Sequence, residues 1–254
     1  MVVYNIIHMK HVFLTSSPTG PLDGSRPVYG LDEMNDFTVN LHKVWKENSR
    51  VLMIAAFPDA YDQNNEMCDY FREHFLRSGF TLETFDLCDY RYIFTPEEVR
   101  TYDAVILSGG HVPTENRFFT DLCLREAMEE YDGIVIGISA GSMNAADLVY
   151  AQPEMSGESS WSFARQLDGL NLTKVNIVPH YQQVKDQMLD GRKLFEDITY
   201  ADSYGRELLC LEDGSYVYVK GRETWIYGRS FIIKDGKLSF LQDTGCFCLY
   251  EQER

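Results

Sequence analysis

The chain is predicted to be an α/β protein with a doubly wound, mostly parallel sheet and antiparallel hairpins toward its C-terminal end. Three observations carry this. Short aliphatic and aromatic runs alternate with amphipathic helical patterns through the first half of the sequence. Several of those runs are apolar at every position, as in Val51-Leu52-Met53-Ile54-Ala55-Ala56, which suits strands covered by helices on both faces. Beyond about residue 200 the pattern changes to short strands joined by Gly-bearing turns such as Asp235-Gly236, the mark of hairpins.

Taken in order, the expected strands are His11–Ser16, Arg50–Phe57, Thr81–Leu87, Ala104–Ser108 and Ile134–Ile138. Leu31–Glu47, Asn65–Ser78 and Asn116–Tyr131 read as helices between them. In the second of these, Met67, Phe71 and Phe75 repeat at helical spacing and Gly79 stands where a helix stops. Strand–helix alternation of this kind argues for a parallel sheet. Val175–Pro179 is a further strand-like apolar run, and Leu208–Cys210, Tyr216–Lys220, Thr224–Tyr227, Phe231–Lys234 and Lys237–Leu241 are short strands expected as hairpins added to the edge of the core. With no repeat, low-complexity tract or long linker, residues 1–254 are expected to form one domain. Residues 1–8 are a candidate extension outside its core, with Met9 a candidate start, and 208–254 are its β-rich part.

Composition narrows the function. Thirty-nine acidic residues against 23 basic ones give a net charge of -16, which disfavours nucleic acid and anionic lipid as partners. The six cysteines form no CxxC pair, fitting reduced, buried thiols better than disulfides or a zinc site. No apolar run approaches the ~20 residues of a membrane span, and residues 1–10 lack the form of a signal peptide. A cytoplasmic protein without metal or cofactor is expected; its oligomeric state is left open.

The most informative segment is Ile134-Val135-Ile136-Gly137-Ile138-Ser139-Ala140-Gly141-Ser142-Met143-Asn144. An apolar strand runs through Gly-x-Ser-x-Gly into a helix-compatible stretch, the context of a nucleophile elbow. Gly137, Gly141 and the small Ala140 relieve crowding around a sharp turn at Ser139, and the helix start aims backbone N–H groups at the space above it. The plainer alternative is a tight turn that lets a helix pack close to the sheet. A serine hydroxyl needs a base, and among six histidines His180 is the one that ends a strand-like run, Val175-Asn176-Ile177-Val178-Pro179. Strand ends are where open α/β sheets place their crevices. Ser108-Gly109-Gly110-His111 follows another strand, so the N–H groups of Gly110 and Ala140 are candidate oxyanion donors.

With these residues in place, the chain resembles the dipeptidase E and cyanophycinase family of serine peptidases. The resemblance rests on Gly109-Gly110-His111, on Gly137-Ile138-Ser139-Ala140-Gly141 with Asn144, on Val178-Pro179-His180-Tyr181 and on Leu211-Glu212-Asp213-Gly214-Ser215-Tyr216. It implies a fold like that of class I glutamine amidotransferases, a serine–histidine–acid apparatus in that chain order, and small peptide substrates. Dipeptidase E cleaves peptides with N-terminal aspartate and cyanophycinase an aspartate–arginine polymer. The family often has three glycines and Asn at the first turn, where this chain has Ser108-Gly109-Gly110-His111, so the role of His111 is open. The acid is read as Asp213, with Glu212 and Glu154 as alternatives. Arg117, Arg165 and Arg192 are candidates for reading an acidic substrate, with nothing to rank them. Two other functions remain on the same scaffold: a glutamine amidotransferase, which would carry cysteine at the elbow and a His-x-Glu pair where this chain has His180-Tyr181-Gln182, and a catalytically inactive binding protein.

Overall fold

The computed structural model describes residues 10–21 and 29–250; the candidate extension 1–8 and the candidate start Met9 lie outside them. Five strands alternate with helices: β1 (His11–Thr15), β2 (Ser49–Ile54), β3 (Leu82–Cys88), β4 (Ala104–Leu107) and β5 (Ile134–Ile138). They pair in parallel in the order β1-β5-β4-β2-β3. Side chains that alternate across each strand fill a separate core on either face. Val12, Leu14, Leu52, Ile54, Val105 and Leu107 face one way, toward helices Val112–Asp121 and Leu124–Glu130. Phe13, Val51, Met53, Ala104 and Ile106 face the other, toward Phe37–His42 and Tyr61–Arg77. This double cover is why the strands read as unbroken apolar runs.

The C-terminal strands divide between two sheets rather than all lining one edge. Tyr216–Lys220 pairs antiparallel with β1, and Glu223–Tyr227 and Phe247–Leu249 extend the central sheet to eight strands. Glu207–Leu211, Ser230–Lys234 and Lys237–Gln242 instead join Asn176–Val178 in a second, four-stranded sheet. There Leu209, Leu211 and Ile177 pack toward the central sheet, whereas Leu208, Cys210 and Val178 turn to a core of their own. Glu207–Leu211 runs parallel to Asn176–Val178, with Cys210 opposite Val178. The residues just past either strand therefore emerge at the same end.

Two expected helices are interrupted in ways the sequence did not suggest. Leu31–Glu47 holds only a 3-10 turn at Met34–Asp36 and a helix at Phe37–His42. Asn35 and Asp36 adopt left-handed conformations, with φ of 55° and 59°. The Asn35 amide donates to Gly214 O and accepts from Gly245 N, both at 2.7 Å, and these long-range bonds outweigh local helix propensity. Asn116–Tyr131 begins earlier, at Val112, and is broken where Cys123 takes φ 50°. The cysteines are all free, but Cys123 and Cys246 are exposed rather than buried. Among the described residues no helix is long and apolar enough to cross a membrane.

Phe13 sits at the centre of the sheet, wholly buried, stacked on Tyr218 at 4.3 Å and edge-on to Phe37. Phe13→Ala is expected to lower unfolding free energy by about 3–5 kcal/mol, measured by urea titration. A loss below about 1 kcal/mol would mean that this core collapses around the gap.

Candidate active site

Five strand ends converge on one edge of the molecule. β1 leads into Ser16, β4 into Ser108-Gly109 and β5 into Ser139; the second sheet brings His180 after Val178 and Asp213 after Leu211. Ser139 joins β5 to the short helix Ala140–Asn144 with φ 50° and ψ −111°, a conformation that L residues avoid and that the surroundings must impose. The carbonyl of Thr15 accepts from Ser139 N at 3.0 Å and from Ser142 Oγ at 2.8 Å. Gly141 N donates to Ser108 O. A Cβ on Gly141 would lie 2.4 Å from Leu107 O, and one on Gly137 would lie 2.8 Å from Ser142 Cα. The glycines thus make room for the neighbouring strand and the following helix rather than for Ser139 itself.

His180 Nε2 lies 2.9 Å from Ser139 Oγ, and its Nδ1 lies 2.6 Å from Asp213 Oδ1. The imidazole is held from several sides. His180 adopts a left-handed conformation, φ 55° and ψ 30°, and its backbone N–H donates to Ser16 Oγ at 2.8 Å. Ser16 Oγ in turn donates to Asp213 Oδ1 at 2.8 Å. Gln182 and Gln183 donate through Nε2 to Asp213 Oδ2 at 2.7 and 2.6 Å. Burial raises the pKa of Asp213, but the hydrogen bond and charge of His180, with Ser16 and Gln182, more than reverse this and leave it below the ordinary carboxylate value. An ionised Asp213 only accepts, so Nδ1 carries the proton and Nε2 faces the Ser139 hydroxyl as acceptor.

The alternative acids lie elsewhere. Glu212 pairs with Arg229 at 3.3 Å. Glu154 makes no hydrogen bond to His180 among the described residues; its backbone N–H donates to Glu158 Oε2. Crowding by protein and the Glu158 carboxylate, partly offset by His180, raise Glu154 to about 7. His111 is buried, bound to Thr114 Oγ1 at 2.8 Å and to Glu158 Oε1 at 2.7 Å, so it anchors the loop that carries Glu154. Gly109 is the turn glycine nearest Ser139, since a Cβ there would sit 3.2 Å from that of Ser139; one on Gly110 would strike Ala56 and Phe57. Of the three arginines, Arg165 is engaged by Asp202 and by the carbonyl of Glu158, while Arg117 and Arg192 are exposed.

Sequence reasoning missed Ser16, Gln182 and Gln183; the one available signal was their place at a strand end or beside His180. It also missed Glu115, wholly buried beneath the site. Its Oε2 accepts from Asn144 Nδ2 at 2.9 Å, and its Oε1 has no partner among the described residues. Burial drives its pKa well above the usual 4.5, against the Asn144 hydrogen bond. Folding therefore takes up a proton once the unfolded carboxyl has ionised, and stability falls as pH rises above about 4.5. Glu115→Gln is expected to flatten the dependence of unfolding free energy on pH by up to about 1.4 kcal/mol per unit in that window. The variant should be the more stable protein at pH 8; parallel curves for the two would refute the burial argument.

A cleft of about 630 Å³ opens beside Ser139 and His180, walled by Ile138 and by Met67, Tyr70 and Phe71 from helix Tyr61–Arg77. The arrangement as a whole is a hydroxyl, an imidazole and a buried carboxylate in line, next to a substrate-sized hollow. No curated protein matches the chain. Solved structures share the fold, among them a peptidase from an acI-B1 Actinobacterium, 17% identical with a TM-score of 0.61 over 96% of this chain and 98% of that one, and a protein from Listeria monocytogenes EGD-e described as a putative peptidase E, 16% identical with a TM-score of 0.56 over 92% and 100%. The sequence model of peptidase family S51 matches residues 29–226, most of the chain, and the protein accordingly belongs to that family of serine peptidases.

Proposed function

We propose that the protein is a cytoplasmic, single-domain hydrolase of small peptides in which Ser139 is the nucleophile on a strained elbow, His180 its general base and Asp213 the orienting acid. The observation that carries this reading is the pair of contacts to one imidazole, 2.9 Å to Ser139 Oγ and 2.6 Å to Asp213 Oδ1, both within proton-transfer reach. Ser139 Oγ attacks the amide carbonyl carbon as its proton passes to His180 Nε2. The oxyanion so formed is held by the backbone N–H groups of Ala140, at the helix start, and Gly110. Collapse expels the amine, which takes the proton from His180 and leaves an acyl ester on Ser139. Water, deprotonated by His180, then releases the acid. Asp213 stabilises the transient imidazolium while staying ionised.

The amidotransferase alternative lacks its parts. Serine stands where cysteine would, and Gln182, where that class has glutamate, donates to Asp213 rather than to the imidazole. An inactive binding protein is separated by reactivity. A fluorophosphonate should add covalently to Ser139, located by mass spectrometry. Ser139→Ala should lose both the label and about 10⁴-fold or more of peptide turnover, with unfolding free energy changed by less than about 1 kcal/mol. Full turnover by the alanine variant would overturn the assignment.

A further inference from the structure

A wholly buried asparagine joins the two segments that carry the proposed oxyanion donors. Asn144 ends the short helix Ala140–Asn144, whose first N–H belongs to Ala140. Among the described residues, its side-chain bonds all run to helix Val112–Asp121. Asn144 Nδ2 donates to Val112 O at 3.1 Å and to Glu115 Oε2 at 2.9 Å, and Asn144 Oδ1 accepts from Asn116 Nδ2 at 3.1 Å. At the other end of the same short helix, Gly141 N donates to Ser108 O at 3.1 Å. The turn Gly109-Gly110-His111 is therefore bracketed. The carbonyl just before it and the carbonyl just after it are both held by the helix that follows Ser139, and Gly110 lies midway between them.

Apolar packing does not account for this arrangement. Val112, Ala140, Met143 and Ala146 fill the space between the two helices, and their burial is favourable but non-directional. Such a contact tolerates a slide of one helix along the other, whereas a satisfied buried polar network fixes one register. Glu115 completes the network. It is wholly buried, and burial favours its protonated form, so it meets Asn144 as a neutral acceptor. The register matters because an oxyanion donor acts only within about 2.7–3.1 Å of the place the charged oxygen will take. We propose that Asn144 and Glu115 are positioning residues that set the spacing between the N–H groups of Gly110 and Ala140, and so act on turnover through the oxyanion rather than through substrate binding. The inference rests on the assignment of Ser139 and of those two donors.

The test compares Asn144→Ala, Glu115→Leu and Glu115→Gln with the parent protein by peptide kcat and KM and by fluorophosphonate labelling of Ser139. The phosphoryl oxygen of the label would occupy the same two N–H groups, so the rate of labelling reads those contacts while its final extent counts folded sites. Asn144→Ala and Glu115→Leu should each lower the labelling rate, and kcat per labelled site, by about 10²-fold, the scale of a small misplacement remote from the chemistry. KM should stay within about threefold, as for an interaction made only in the transition state. Glu115→Gln has the shape and neutrality of the protonated acid and can still accept from Asn144, so its kcat and labelling rate should stay within about threefold of the parent. A lowered extent of labelling at an unchanged rate would make the pair merely structural and overturn the inference. A raised KM with kcat preserved, or a Glu115→Gln variant as slow as Glu115→Leu, would overturn it as well. Failure of Ser139 to label in the parent protein would instead remove the nucleophile, and the positioning role with it.

Discussion

The site depends on one imidazole held between a buried carboxylate and a strained serine. Asp213 is 4% exposed, and burying a carboxylate is costly unless its oxygens are satisfied. Here they are, by His180, Ser16, Gln182 and Gln183. These donors keep the group ionised, and the ion fixes the proton on the Nδ1 side of His180. Remove any one donor and the charge loses stabilisation; remove the charge and the tautomer is no longer specified. Stability should track this: a depressed carboxylate contributes above the unfolded value near 3.8 and loses that contribution as pH falls through the lower folded one.

The fold supplies that geometry by joining two sheets. Ser139 belongs to the central sheet, whereas His180 and Asp213 follow neighbouring parallel strands of the second. Ser16, at the end of β1, bridges the two by accepting from His180 N and donating to Asp213. The adjacent Thr15 carbonyl binds both Ser139 N and Ser142 Oγ. A single strand end thus holds Ser139, His180 and Asp213 together. Left-handed backbone at Ser139 and His180 stores about 1–3 kcal/mol at each residue, tolerable because hydrogen bonds from both sheets impose it.

The strands of the central sheet were legible because burial on both faces leaves a local trace, an unbroken apolar run. Ser139 and His180 were legible for a similar reason, since each closes such a run. The carboxylate that meets His180 leaves no local trace, and Asp213 was favoured through the resemblance alone. Asp213, Glu212 and Glu154 look alike in sequence, and what separates them is the pairing of Cys210 with Val178 and the resulting reach to Nδ1. The helix expected over Leu31–Glu47 was over-read because Asn35 is held by Gly214 and Gly245, far along the chain. Ser16, Gln182 and Gln183 carry no pattern of their own, and Glu115 resembles any helical glutamate until its burial is seen. The division of the C-terminal strands between two sheets is also a long-range matter, since either sheet accepts the same short alternating segments.

The acid is therefore where the account is most exposed, and exchanging it without changing its shape is the most direct measurement. Peptide kcat/KM should be compared for Asp213→Asn and Glu154→Gln at neutral pH. The arrangement described predicts that Asp213→Asn loses about 10³–10⁴-fold, because an asparagine neither fixes the tautomer nor stabilises the imidazolium. Glu154→Gln should stay within about tenfold of the parent. The opposite result, an active Asp213→Asn and an inactive Glu154→Gln, would contradict it.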